Sequence, residues 1–191
     1  MMRLEKTWSS AILGGLVSGT VASVVSTVAL SILGKAELGK SAAPVNGPSQ
    51  WIWGKHALYQ DRFSLRYTLI GYAIHHAASI FWAIWYEKLR QQLPPAKSTA
   101  TVLAPAVATT VAAYVVDFHF IPKRLTPGFE HRLSHPSLLI VYGAFALGLA
   151  ATVLLSRKLP RRRYTANPAS KFTSPTNATH GKSGAPAFRK H

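Results

Sequence analysis

The chain has no cysteine among its 191 residues, which excludes disulfide bonds, thiolate metal sites and cysteine nucleophiles. Acidic residues are scarce: six Asp and Glu stand against 22 Lys and Arg, so the formal net charge is +16. Charged residues of both signs make up only 15% of the chain, whereas hydrophobic residues make up 48%. A soluble domain usually carries about 25% charged residues. The composition therefore argues against an ordinary soluble domain.

The charged residues are concentrated outside four long apolar stretches. These stretches are residues 11–33, 67–86, 101–121 and 137–155. Asp117 is the only formally charged residue within them. About 20 apolar helical residues cross the hydrocarbon core of a bilayer, and a segment in lipid must form its backbone hydrogen bonds internally. The sequence therefore predicts an all-α integral membrane bundle of four transmembrane helices, which together make up residues 11–155.

Both ends of the chain are predicted to lie outside this bundle. Residues 1–10 form a short cytoplasmic flank, and residues 156–191, which are basic and contain no acid, form a disordered basic tail. A dense basic cluster follows the fourth span, and it consists of Arg157, Lys158, Arg161, Arg162 and Arg163. Because cytoplasmic flanks carry an excess of Lys and Arg, this cluster favours a cytoplasmic position for both termini. Anionic lipid is its expected contact, and nucleic acid is disfavoured because no nucleic-acid-binding fold accompanies the charge.

Small residues at four-residue spacing predict the faces on which the helices pack. Lipid is as apolar as leucine, so membrane helices associate through close backbone approach and hydrogen bonds. The first span carries Gly15, Gly19 and Ser23 at this spacing, and the fourth carries Ala144 and Gly148. The sequence leaves open whether these faces join spans of one chain, copies in a homo-oligomer or another membrane protein.

A buried polar centre is predicted between the second and third spans. A carboxylate inside a span is costly in lipid, so Asp117 is expected to face the bundle and to find a partner. His75 and His76 lie near the middle of the second span, and the helical rise places His75 about 6 Å deeper than Asp117. The imidazole and the carboxylate are expected to meet directly, through a tyrosine or through a water. The predicted members of the centre are Asp117, His75, His76, Ser79, Tyr72 and Tyr114.

The sequence leaves more than one function open for this centre. In the first interpretation it holds the helices together, and the protein is a non-enzymatic four-helix membrane component of unknown biochemical role. In the second, the protein is a proton-linked small transporter or a channel subunit, because histidine titrates near neutrality. A third, a haem-binding or other membrane redox protein, requires histidines at matching depth on two helices, and the first and fourth spans contain none. No cofactor or metal is therefore predicted, and no catalytic motif favours an enzyme.

Two parts of the chain resemble a known group of proteins. They are the histidine pair in the second span and the stretch Pro-Lys-Arg-Leu-Thr-Pro-Gly-Phe-Glu at residues 122–130, which follows Asp117. Both resemble uncharacterised small bacterial inner-membrane proteins with four predicted helices, and the resemblance covers most of residues 10–155. It implies a multi-pass protein of the bacterial cytoplasmic (inner) membrane, and it implies no activity.

Overall fold

The structure, a computed structural model, describes residues 7–158. All regular structure in this range is helical, so the all-α prediction is confirmed for the described residues. The four long helices are α1 (Trp8–Leu38), α2 (Ile70–Gln92), α3 (Thr99–Val115) and α4 (His135–Lys158). A π-helical turn, Leu65–Leu69, leads into α2, and a second one, Val116–Phe120, continues α3.

Local groups cap both ends of α1 and the start of α3. The Thr7 hydroxyl accepts a hydrogen bond from the Ser10 amide at the start of α1, and α1 ends at Gly39, whose positive φ of 68° favours glycine. Ser98 and Thr101 form a capping box at the start of α3. α1, α2 and α4 extend beyond the predicted ends of their spans, because those predictions follow the limits of the apolar runs rather than the caps. α3 is shorter than its predicted span and reaches Phe120 only through the π-helical turn.

The four helices pack side by side in an up-down-up-down arrangement. α1 runs antiparallel to α2, because Ser26 in the middle of α1 contacts His75 near the start of α2, while Trp8 at the start of α1 contacts Trp85 toward the end of α2. α1 is also antiparallel to α4, since Glu37 near the end of α1 accepts hydrogen bonds from the start of α4. α3 packs against α4 and α2 and completes the ring. The start of α1 and the end of α4 consequently lie at the same end of the bundle. We call this end, which is opposite the first and third connections, the terminal end.

Three of the four long helices are long and apolar enough to cross a membrane. They are Trp8–Leu38, Thr99–Phe120 and His135–Ser156. α2 reaches the necessary length with 23 residues but not the same apolarity, because polar residues such as His75, His76 and Ser79 interrupt it. Three of the four predicted spans thus have the length and composition of membrane-crossing helices.

The predicted boundary between the last helix and the basic tail is too early. α4 continues through Ser156 to Lys158, three residues into the predicted tail. Arg and Lys are good helix formers and are favourable near a helix C-terminus, so they do not end the helix. The rest of the predicted tail, from residue 159 onward, and residues 1–6 of the N-terminal flank lie outside the described residues.

The two connections at the opposite end fold together over the bundle. We call them the cap, which comprises residues 39–64 and 121–134. Asn46 is fully buried in the cap, and its Nδ2 donates to the carbonyl oxygens of Gln60 and Arg62 at 2.8 and 3.1 Å. Its Oδ1 accepts a hydrogen bond from the Thr68 hydroxyl at 2.6 Å. The Asn46 side chain therefore joins the early and late parts of the first connection to each other. It also joins them to the π-helical turn that leads into α2.

Hydrogen bonds and an ion pair also join the two connections of the cap to each other. Gln50 Nε2 and Trp51 Nε1 both donate to the carbonyl oxygen of Thr126, at 2.8 and 3.2 Å. Arg132 forms an ion pair with Asp61 and thus links the second connection to the first. The two connections therefore form one folded unit at this end of the bundle rather than two independent loops.

Candidate functional site

A cavity lies in the half of the bundle next to the cap, between all four helices. Its volume is about 70 Å³, and one water needs about 10–15 Å³ of such space, so it can hold a few waters or a small ligand. Its polar lining residues are Ser26, His75, Ser79, Asp117 and Tyr142. Its aromatic walls include Trp51 and Phe129 from the cap and Trp82 and Phe145 from the helices. Polar groups from all four helices or their extensions therefore converge on this cavity.

Asp117 faces this cavity and is held by a tyrosine of α4. The Tyr142 hydroxyl donates to Asp117 Oδ2 at 2.7 Å, and the tyrosine is only 9% exposed. The Tyr142 ring lies edge-on to Tyr114 and Phe129, with centroid separations of 5.3 and 6.4 Å. Asp117 itself belongs to the π-helical turn that continues α3, a local conformation that is frequent at functional sites. Packing therefore fixes the orientation of the hydroxyl that holds the carboxylate.

His75 enters the same cavity from α2. Its Nε2 lies 2.8 Å from Ser26 Oγ of α1. The Ser26 hydroxyl also donates to the carbonyl oxygen of Ala22 at 2.8 Å. Because a hydroxyl has one proton, Ser26 Oγ can then only accept a hydrogen bond from His75. This arrangement requires the His75 tautomer that carries its proton on Nε2. The Ser79 hydroxyl donates to the His75 carbonyl oxygen at 2.7 Å. His75 thus connects α1 to α2 beside the cavity.

The structure brings His75 and Asp117 to one cavity without joining them. No hydrogen bond or ion pair connects the two side chains within residues 7–158, and each has a partner on a different helix. The tyrosine that contacts Asp117 is Tyr142, not Tyr72 or Tyr114, which the sequence suggested. Tyr142 was not predicted as a member of the polar centre. The sequence around this tyrosine does not indicate whether its side chain faces the bundle or the membrane interface.

The remaining predicted members of the polar centre lie beside the cavity rather than in its lining. The His76 ring stacks on Tyr72 at a centroid separation of 5.6 Å, and its Nδ1 is buried without a hydrogen-bond partner among the described residues. Tyr114 packs against the Tyr142 ring. Adjacent helical residues point about 100° apart, which explains why His75 faces the cavity and His76 does not. Within residues 7–158, no group of three or more His, Asp or Glu comes together as a metal site.

Gly15 and Gly19 lie where α1 crosses α2. A Cβ atom at Gly15 would lie 2.6 Å from Ile84 Cγ1, and one at Gly19 would lie 2.7 Å from Ile80 Cα. Both distances are far shorter than a van der Waals contact, so only glycine permits this approach. These two glycines therefore allow α2 to pack closely against α1 in the terminal half of the bundle.

Gly148 of the fourth predicted span lies where α4 packs against α1. A Cβ atom at Gly148 would overlap the Ala22 backbone of α1. Ser23 is fully buried, while Ala144 is half-buried. The glycines of both predicted packing faces therefore contact other helices of the same chain.

Sequence reasoning missed a buried carboxylate at the terminal end. Glu87 of α2 is only 4% exposed, and its Oε2 forms an ion pair with Arg90 Nη2 at 2.7 Å. The signal in the sequence is the spacing of three residues, which places an acid and a base on one helix face. The predicted end of the second span at residue 86 left this pair outside the bundle.

No protein-family model matches the chain, and no curated protein and no solved structure matches it significantly. A functional proposal must therefore start from the geometry of the bundle and its cavity.

Proposed function

We propose that the chain is a non-enzymatic multi-pass component of the bacterial cytoplasmic membrane, with all four helices crossing the bilayer. The observation that carries this proposal is the distribution of large apolar side chains over the outside of the bundle. Extended apolar surfaces are rare on soluble monomers and are typical of contact with lipid. Such side chains, all at least half exposed, include Leu13, Val28 and Ile32 on α1, Val111 on α3, and Leu139 and Leu147 on α4.

The environment of α2 supports its inclusion as a fourth span. Its 23 residues rise by about 34 Å, enough to cross a hydrocarbon core. Its polar residues His75 and Ser79 line the internal cavity, while Phe81 and Trp85 are exposed on the outside. The lower apolarity of α2 is therefore explained by groups that face the bundle rather than lipid.

Aromatic and basic residues at the terminal end fit the level of the lipid headgroups. Trp8 and Trp85 are each about half exposed and meet edge-to-face with centroids 5.8 Å apart. Lys88 Nζ lies 4.6 Å from the centre of the Trp8 ring. Tryptophan is enriched at membrane interfaces, and the basic cluster that starts at Arg157 favours the cytoplasmic side and contact with anionic lipid. The cap would then face the periplasm.

The topology predicts opposite accessibility for two engineered cysteines. Because the chain has no native cysteine, Lys55→Cys in the cap and Gln92→Cys at the end of α2 each give a single labelling site, and both positions are exposed. We expect a membrane-impermeant maleimide to label Lys55→Cys in intact cells and Gln92→Cys only after permeabilisation. Labelling of both from the same side would show that α2 does not cross, and recovery of the protein in the soluble fraction would contradict a membrane location.

A second candidate function, proton-linked transport, is supported by one observation. His75 and Asp117 line the same cavity without bonding to each other, so each can exchange protons with water in that space. If the non-enzymatic role is correct, proteoliposomes containing the protein should hold an imposed pH gradient as long as empty liposomes. Faster dissipation that Asp117→Asn abolishes, with assembly unchanged, would support transport instead. Loss of assembly in Asp117→Asn would support a purely structural role for the carboxylate.

A further inference from the structure

The cavity combines one negative charge with walls of aromatic side chains. Asp117 is the only formally charged residue among those that line it, and neither Lys nor Arg contributes to the lining. Tyr142 donates to Oδ2 of the carboxylate, and Oδ1 receives no hydrogen bond from the part of the chain that the structure describes. One carboxylate oxygen is therefore available to a ligand.

Aromatic residues line the same cavity from two directions. Trp82 and Phe145 line the cavity from α2 and α4, while Trp51 and Phe129 line it from the cap. The faces of aromatic rings attract cations, and cages of such rings are a common way to bind quaternary ammonium groups. The carboxylate would repel an anion, and a neutral ligand would gain less from the negative charge than a cation does.

We propose that this cavity binds a small organic cation of the quaternary ammonium or protonated amine class. The volume of about 70 Å³ suits a compact headgroup rather than a long chain. Trp51 lines the cavity, is 39% exposed and is held by its hydrogen bond to the Thr126 carbonyl oxygen, so this wall of the cavity lies at the surface of the cap. The inference goes beyond the proposed membrane role, because it does not depend on which side of the membrane the cap faces.

Three probes of similar shape and different charge test this proposal on the full chain in detergent. Tetramethylammonium carries a positive charge, tert-butanol is neutral and pivalate is negative. Trp51 and Trp82 in the cavity wall provide a fluorescence signal, which isothermal calorimetry checks independently. We expect saturable binding of tetramethylammonium and no saturable binding of the other two probes at the same concentrations.

Two substitutions locate the binding. Asp117→Asn keeps the shape and an acceptor for Tyr142 but removes the charge, so affinity for tetramethylammonium should fall by about 30-fold or more. Glu87→Gln removes a buried carboxylate at the terminal end, outside the cavity lining, and should leave affinity unchanged. Trp51→Leu should lower affinity by roughly threefold to tenfold, whereas Trp51→Phe should retain most of it.

Several results would overturn the proposal. They are equal binding of pivalate or tert-butanol, unchanged affinity in a monodisperse Asp117→Asn protein, and no saturable binding by the wild-type chain of either tetramethylammonium or methylammonium, a protonated amine added as a fourth probe. If Asp117→Asn aggregates, Trp51→Leu decides, since unchanged affinity in that variant would exclude the cavity as the site. None of these outcomes alters the cysteine-labelling result, so failure of cation binding is distinguishable from failure of the membrane proposal.

Discussion

Replacing Gly148 by leucine is expected to separate α4 from α1 and to remove most of the stability of the bundle. A Cβ atom at this position would overlap Ala22 Cα and would lie 3.0 Å from the Ala22 backbone nitrogen. Backbone atoms cannot rotate away, so the helices themselves must move apart and open the packing around Leu149, which is fully buried. Overpacking usually costs about 1–3 kcal/mol, and we expect a loss of at least about 3 kcal/mol here because the obstacle is backbone.

The matched control for this substitution lies in the same helix. Gly143 is exposed, and a Cβ atom there would have no neighbouring heavy atom within 4 Å. Gly143→Leu should therefore cause no loss in the free energy of unfolding, and the higher helix propensity of leucine should raise it by up to about 1 kcal/mol. Thermal unfolding in detergent, followed by circular dichroism, compares the two variants. Equal losses in both would contradict the contact between Gly148 and Ala22.

The glycine at this crossing illustrates which features of the fold were predictable from sequence. Gly15, Gly19 and Gly148 stand out because a backbone crossing requires small residues at fixed helical spacing, and that requirement is local to each helix. The long helices were predictable for a similar reason, since length and apolarity are read within one segment. α2 is the long helix with the weakest membrane-span pattern, because some of its polar residues face the cavity.

The partners within the polar centre were not predictable in the same way. Asp117 was identified by its charge and His75 by its position, but the contacts of these residues come from the other helices. Ser26 looks like one of several small packing residues in the first span, and Tyr142 looks like an ordinary aromatic residue of the fourth. Which side chain faces inward depends on how each helix is rotated in the bundle, and no pattern within a single helix determines that rotation.

The cap was the least predictable part of the molecule. Its proline and glycine residues indicate turns, but the contacts that fold it are hydrogen bonds between residues far apart in the chain. Gln50 reaches Thr126, and Arg132 reaches Asp61. Such pairings follow no periodic pattern, so the sequence does not predict that the two connections cover the cavity together.

Asn46→Leu is expected to unfold the cap while leaving the helices in place. Asn46 is fully buried, and its loss would leave the carbonyl oxygens of Gln60 and Arg62 without their amide donor and the Thr68 hydroxyl without its acceptor. Each buried polar group left unpaired costs about 1–3 kcal/mol. Leucine has nearly the same size, so the expected loss of about 3 kcal/mol or more reflects hydrogen bonding rather than a cavity.

Trypsin distinguishes local loss of the cap from global unfolding, because Lys55 and Arg62 lie within the first connection of the cap. We expect rapid cleavage there in Asn46→Leu, with the helical circular dichroism signal retained. Gln60→Leu is the control, since the Gln60 side chain makes only an exposed hydrogen bond to the His56 carbonyl oxygen, and its change should stay within about 0.5 kcal/mol. Wild-type resistance to trypsin in Asn46→Leu would show that Asn46 does not hold the cap. Because Trp51 and Phe129 reach the cavity from the cap, a cap opened in this way should also lose tetramethylammonium binding.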